Sequence, residues 1–90
     1  MRTPVYSGRS NRDVRLAERR GKDLGKLRDV IALLVQGSPL PARLRDHALR
    51  GDWNGYRDLH VAPDWLLIHR VEGDDVLLAR TGTHADLFDE

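Results

Sequence analysis

The sequence predicts one α+β domain in which a helical hairpin packs on a small antiparallel sheet, in the chain order β-α-α-β-β-β. Two observations support this fold class. Apolar residues of the first half recur at helical spacing, and the second half holds three short β-rich runs separated by turn signals. A length of 90 residues leaves room for a single domain, 1–90, and a hydrophobic content of 40% is enough for a core.

The first half is predicted to form a short strand followed by two helices. Thr3–Tyr6 has the composition of an edge strand that runs into a turn. A helix with a thin apolar stripe follows from about Gly8 to Arg20, and Gly21 interrupts it. The second helix begins after Asp23, a capping residue, and ends at Gly37. Its apolar residues follow the i, i+3, i+4, i+7 pattern: Leu24, Leu27, Val30, Ile31 and Leu34.

The second half is predicted to form a three-stranded meander with a short closing helix. The strands are Trp53–Val61, Trp65–Val71 and Val76–Thr81, and the segments between them fit hairpin turns. The central run has apolar residues at both alternating positions, so both of its faces should be covered. His84–Phe88 is predicted to close the fold, with Thr83 as its N-cap.

Charge is unevenly distributed along the chain. Residues 1–45 hold eleven Lys/Arg and four Asp/Glu, whereas residues 46–90 hold four and ten, which gives +7 and −6. Such an asymmetry suggests that one face of the protein meets a polyanion, although a solvated helix face is the alternative interpretation. The basic residues expected to contact the partner are Arg15, Arg19 and Lys22.

Composition also excludes several classes of protein. The chain has no cysteine, so disulfides, thiolate metal sites and cysteine nucleophiles are excluded. Its longest uninterrupted apolar run, Val30–Val35, is far shorter than the ~20 residues of a membrane-spanning helix. The first residues carry no apolar run of the secretory type. We therefore expect a cytoplasmic protein that does not associate with membranes.

Polar residues that could perform chemistry lie at the strand ends and loops of the second half. The meander should bring four of them to one edge of the sheet: His60, Asp64, Arg80 and His84. His47 arrives on a loop and cannot be placed this way. Imidazoles that gain or lose a proton near neutral pH, with an Arg to bind phosphate, are the groups needed to cleave RNA through its own 2′-hydroxyl without a metal.

Other interpretations of these residues remain open at this point. Histidines at strand ends are often simply hydrogen-bonded, and Arg80 could form a structural ion pair with Asp64. Trp65 and Phe88 could be packing residues, as His69 is expected to be. Three histidines and one carboxylate would also suit zinc, and the residues concerned are His47, His60, Asp64 and His84.

Four separated blocks of sequence, in order and with matching spacing, closely resemble the YafQ branch of the RelE superfamily. They are Asp46–Gly51, Trp53–Val61, Pro63–Trp65 and Arg80–Phe88. The RelE superfamily contains toxins of bacterial type II toxin–antitoxin systems, and the resemblance extends over essentially the whole chain. It departs mildly at Ala48, where relatives often have proline.

The resemblance implies a ribosome-dependent mRNA interferase, an endoribonuclease that needs no cofactor. It also implies a cognate antitoxin, encoded nearby and DNA-binding, that forms a hetero-oligomer with a toxin that is monomeric when free. The implied site consists of His47, His60, Asp64, Trp65, Arg80, His84 and Phe88.

We expect His84 to act as the general acid, with Asp64 or His60 as the base. Arg80 should stabilise the transition state and His47 should orient the phosphate. Trp65 and Phe88 should shape the pocket or stack on a base. The alternative function is a non-catalytic protein on the same scaffold, such as a gyrase-poisoning toxin or an RNA-binding module.

Overall fold

The computed structural model describes residues 1–88, so the last two residues of the predicted domain lie outside the described part. It contains a five-stranded sheet with the order β1-β5-β4-β3-β2. The strands are β1 (Thr3–Tyr6), β2 (His47–Ala48), β3 (Arg57–Ala62), β4 (Trp65–Glu72) and β5 (Asp75–Gly82). The helices are α1 (Gly8–Arg19), α2 (Leu24–Gln36) and α3 (His84–Phe88).

The α+β class and the predicted order of the main elements are confirmed. The sheet is antiparallel except at one edge, where β1 pairs in parallel with β5, a pairing that the sequence pattern did not specify. The strand predicted from Trp53 begins at Arg57, because Gly51–Trp53 forms a short 3-10 turn. The additional strand β2 pairs with the start of β3, and two residues are too few to give a periodic signal.

The predicted helix ends have a hydrogen-bonding explanation. The Asp23 side chain accepts the backbone N–H of Gly25 at 2.9 Å and caps the start of α2. Gly37 ends α2 with φ 70°, a left-handed conformation that favours glycine. At α3, Thr83 Oγ1 accepts the N–H of Asp86, while Asp86 Oδ2 accepts the N–H of Thr83, which is a reciprocal capping arrangement.

Both faces of the sheet are covered, as the apolar pattern of β4 predicted. Leu67 and Trp65 belong to the core that contains the buried residues of α2. On the opposite face, Leu66 and Ile68 pack with Leu87 of α3. Strand β4, at the centre of the sheet, is therefore fixed from both sides. Within the described residues, no helix combines the length and apolar character needed to cross a membrane.

Candidate active site

Asp64 and His84 form a hydrogen-bonded pair at the junction of the β3–β4 turn and α3. Nδ1–H of His84 donates to Asp64 Oδ1 at 2.7 Å, and the backbone N–H of His84 donates to the same oxygen at 3.1 Å. The hydrogen bonds from His84 lower the pKa of Asp64, so its carboxylate is ionised near neutral pH. A carboxylate can only accept, which places a proton on Nδ1 of His84 and leaves Nε2 free to exchange one.

Two further predicted residues lie beside this pair. The ring centroids of His60 and His84 are 5.8 Å apart, and those of His84 and Phe88 are 6.5 Å apart. Nδ1 of His60 is buried and has no hydrogen-bond partner among residues 1–88. Phe88 is half-buried. The structure thus brings His60, Asp64 and His84 together, as the order of the strands suggested, and Phe88 lies beside His84.

His47, which the sequence could not place, reaches the same cluster from β2. Its Nδ1–H donates to the carbonyl oxygen of Arg45 at 2.8 Å, so Nε2 is the unprotonated nitrogen of the neutral ring. Arg45 has φ 51°, a left-handed conformation that is strained for a residue with a side chain. His47 Nε2 lies 3.8 Å from Asp58 Oδ2.

Asp58 is a site residue that the sequence analysis missed. Only 3% of its surface is exposed, and its Oδ1 has no hydrogen-bond partner in the part of the chain that the structure describes. Burial raises the pKa of Asp58, while the nearby rings of His47, His60 and His84 act in the opposite direction. The signal for it was present in the sequence: Asp58 and His60 are two residues apart on a strand and therefore point to the same face.

Arg80 is held by α1 and not by Asp64. Its Nε donates to Asp13 Oδ2 at 3.0 Å and its Nη2 donates to Asp13 Oδ1 at 2.8 Å. The interpretation of an Arg80–Asp64 ion pair is therefore wrong, because the Arg80 guanidinium pairs with Asp13 of helix α1. The hydrogen bonds from Arg80 to Asp13 raise the pKa of Arg80, which stays charged at all relevant pH values.

Trp65 is a packing residue in this structure. It is 2% exposed, and its indole N–H donates to Thr81 Oγ1 at 2.9 Å. A ring buried to this extent has no open face on which a nucleobase could stack, so that part of the prediction was wrong for Trp65. The Lys22 amino group lies 5.9 Å from the Trp65 ring centroid, which brings one cation of the basic helix face close to the cluster.

Asp86 fixes the helix that carries His84. In addition to its capping bonds with Thr83, it accepts a hydrogen bond from Arg20 Nη1 at 2.7 Å. The Arg20 bond, followed by Thr83, lowers the pKa of Asp86 to about 2, so this anchor stays ionised well into acid. A Cβ atom at Gly82 would lie 3.0 Å from Asp86, so the glycine makes this close approach possible.

His69 is buried, as expected, but it also anchors the loop before His47. Its Nε2–H donates to Asp46 Oδ1 at 3.1 Å, and Arg57 Nε donates to Asp46 Oδ2 at 2.8 Å. Burial lowers the pKa of His69. A neutral His69 therefore helps to hold Asp46, the residue next to His47, against β3 and β4.

Cations lie beside the cluster and on the exposed face of α1. A cavity of about 430 Å³ beside His60 is lined by Lys26, Arg43 and Arg45, and its lining contains no acidic residue among residues 1–88. Arg15 and Arg19 are exposed on α1. The predicted basic surface and the cavity beside the histidine cluster are therefore both cationic, which suits a substrate with several phosphates.

Residues 2–89 match the family model described as a bacterial toxin of type II toxin-antitoxin system, YafQ. The chain is 50% identical over 84 residues to the mRNA interferase toxin YafQ of Escherichia coli strain K12, covering 92% of this chain and 91% of that relative. A chain of the E. coli DinJ-YafQ toxin-antitoxin complex is 49% identical, with 97% of each chain covered and a TM-score of 0.89.

A metal-bound toxin from Helicobacter pylori also has this fold. It is 31% identical to this chain, with a TM-score of 0.91. The match covers 98% of this chain and 100% of the H. pylori chain. In the present protein, no group of three His, Asp or Glu side chains among residues 1–88 is arranged to hold a metal ion. The zinc site suggested by three histidines and one carboxylate is therefore not assembled in the described residues.

Proposed function

The chain belongs to the YafQ family of bacterial type II toxins, and we propose that it is an mRNA interferase that cleaves mRNA bound to the ribosome. The observation that carries the proposal is the Asp64–His84 pair, which lies next to His47, His60 and the buried Asp58. These groups can supply a general base, a general acid and the carboxylates that stabilise the charged forms of both histidines. The reaction is attack of a ribose 2′-hydroxyl on the adjacent phosphate.

His47 is the general base in this proposal. Its neutral ring has an unprotonated Nε2, because Nδ1–H is donated to the Arg45 carbonyl. Asp64, one of the bases expected from sequence, already accepts two hydrogen bonds from His84, and its lowered pKa makes it a weak base. Nε2 of His47 takes the 2′-hydroxyl proton, and the 2′-oxygen forms a bond to phosphorus.

His84 is the general acid. With Nδ1–H held by Asp64, the imidazolium form carries its second proton on Nε2 and gives it to the departing 5′-oxygen as the P–O5′ bond breaks. The products are a 2′,3′-cyclic phosphate and a 5′-hydroxyl end, so protons and electrons balance without a cofactor. Arg80 stabilises the negative charge on the phosphorane, and Phe88, beside His84, stacks on a base.

A cognate antitoxin is the proposed protein partner. Support comes from family membership and from a relative that is crystallised in complex with its antitoxin. We expect the antitoxin to be DNA-binding and to form a hetero-oligomer with this chain, which is monomeric when free. Cytoplasmic location follows from the same proposal, because the substrate is mRNA on ribosomes.

The function is tested by incubating the purified protein with ribosomes that carry a defined mRNA. Cleavage should need the ribosome, give a 2′,3′-cyclic phosphate, and disappear when the nucleotide before the cut is replaced by its 2′-deoxy form. Protein treated with a chelator, and then freed of it, should cleave at an unchanged rate. Absence of cleavage would favour the non-catalytic toxin, and cleavage of the 2′-deoxy mRNA would exclude 2′-hydroxyl attack.

The basic face of α1 is proposed to bind ribosomal RNA. The double variant Arg15→Gln/Arg19→Gln removes two exposed cations, so its affinity for ribosomes should fall and the slope of log affinity against log salt should decrease by about 1 to 2. Lys22→Gln should act in the same direction. The matched control is Arg28→Gln, an exposed cation of α2. An unchanged salt slope in the double variant would identify this stripe as a solvated face.

A further inference from the structure

Asp13 is a carboxylate that neither the proposed mechanism nor the sequence analysis uses. It lies on α1, is 9% exposed, and faces the end of β5. Three donors of β5 converge on it: Arg80 Nε, Arg80 Nη2 and, at 3.2 Å, the backbone N–H of Thr81. A buried carboxylate with two bonds to a single guanidinium fixes the plane of that group as well as its position.

We propose that Asp13 is a positioning residue that holds the Arg80 guanidinium in the orientation needed at the scissile phosphate. This inference rests on the proposed function, in which Arg80 stabilises the phosphorane. Asp13 uses two of the five N–H donors of Arg80, so three remain for phosphate oxygens. The Arg80 side chain is only 16% exposed, so it has little freedom to reorient once the pair is formed.

The Asp13–Arg80 pair also reduces the positive charge available to the phosphate, and this makes the proposal testable. Asp13 offsets part of the positive charge of Arg80, so as a mere counter-ion it would weaken phosphate stabilisation. If its role is to orient Arg80, loss of the carboxylate should slow the chemical step, because displacement of a catalytic group by about 1 Å can cost up to ~100-fold in rate. These two roles predict opposite changes in kcat.

The experiment is a double-mutant cycle measured by ribosome-dependent mRNA cleavage. We expect Asp13→Asn to lower kcat by roughly 10- to 100-fold with little change in KM. In the Arg80→Ala background, where nothing is left to orient, Asp13→Asn should lower kcat no further. Arg80→Lys keeps the positive charge but cannot form the two-pronged contact, and it should lose a similar factor without disturbing the fold.

A stability-matched control separates orientation from loss of folding. Val30→Ala shortens a buried residue of α2 and should lower Tm without changing kcat below the transition. If Asp13→Asn does not fold, the Arg80→Lys variant still tests the proposal. A wild-type kcat in Arg80→Lys would overturn it. Unchanged or increased kcat in Asp13→Asn would also overturn it, as would additive losses in the cycle. A wild-type protein that cleaves no mRNA would instead refute the proposed function.

Discussion

His84→Gln is expected to lower the rate of mRNA cleavage by about 10²- to 10⁴-fold, the usual contribution of a general acid. Glutamine has a similar length and can still donate to Asp64, but it cannot release a proton to the 5′-oxygen. Because both side chains of the pair are substantially exposed, 42% for His84 and 64% for Asp64, stability should hardly change. The measurement is single-turnover cleavage of ribosome-bound mRNA together with Tm.

Asp64 provides the internal check of this result. Asp64→Asn alone should slow cleavage, because the ring of His84 loses the acceptor that orients it and holds its Nδ1 proton. Combined with His84→Gln, it should have little additional effect, since both changes act on the same proton transfer. A His84→Gln protein that retains more than a tenth of the wild-type rate would remove His84 from the role of acid.

The elements of this fold were largely predictable because local signals agree with the tertiary structure. The periodic apolar residues of α2, the capping residue Asp23 and the glycine at 37 all specify the same helix, and the structure confirms it. The apolar residues of β4, which occupy both alternating positions, likewise predicted two covered faces. The parallel pairing of β1 with β5 was not predictable, because it depends on where the helical hairpin returns the chain.

The site was predictable only in part, because only some of its contacts follow from neighbouring strands. Residues near one turn, such as His60 and Asp64, are brought together by neighbouring strands. The partnership of Arg80 with Asp13 joins residues 67 positions apart, and no local pattern specifies it. Asp58 was overlooked because a charged residue in a strand is ordinarily assigned to the solvent face. His47 was assigned to the site only through the family resemblance, because its position depends on the long-range contact between Asp46 and His69.

The Asp58→Asn substitution is expected to lower the cleavage rate by about 100-fold while making the protein more stable. Its carboxylate faces His47 Nε2, and it stabilises the positive charge that develops on His47 when this ring takes the 2′-hydroxyl proton. Removing the charge takes away that stabilisation. The same carboxylate is buried, and its Oδ1 lacks a hydrogen-bond partner within the described residues, so asparagine should raise the stability by on the order of 1 kcal/mol near pH 7.

The pH dependence of stability identifies the cause. Burial raises the pKa of Asp58, so in the window above the ordinary aspartate value the folded state binds more protons than the unfolded state, and stability falls as pH rises. The stabilising effect of Asp58→Asn should therefore vanish below about pH 4 and grow through the raised pKa. The ionisable groups that face Asp58 are His47, His60, His84 and Asp46.

Asp52→Asn is the matched control, because it removes an exposed carboxylate from the neighbouring turn. It should change neither the cleavage rate nor the profile of Tm against pH. Since a small domain shifts its Tm by roughly 4–8 °C per kcal/mol, a stabilised Asp58→Asn protein is readily distinguished from this control. An Asp58→Asn protein that is less stable than wild type at pH 7 would show that the buried carboxylate is held by favourable contacts. One that keeps full activity would show that His47 needs no counter-ion to act as the base.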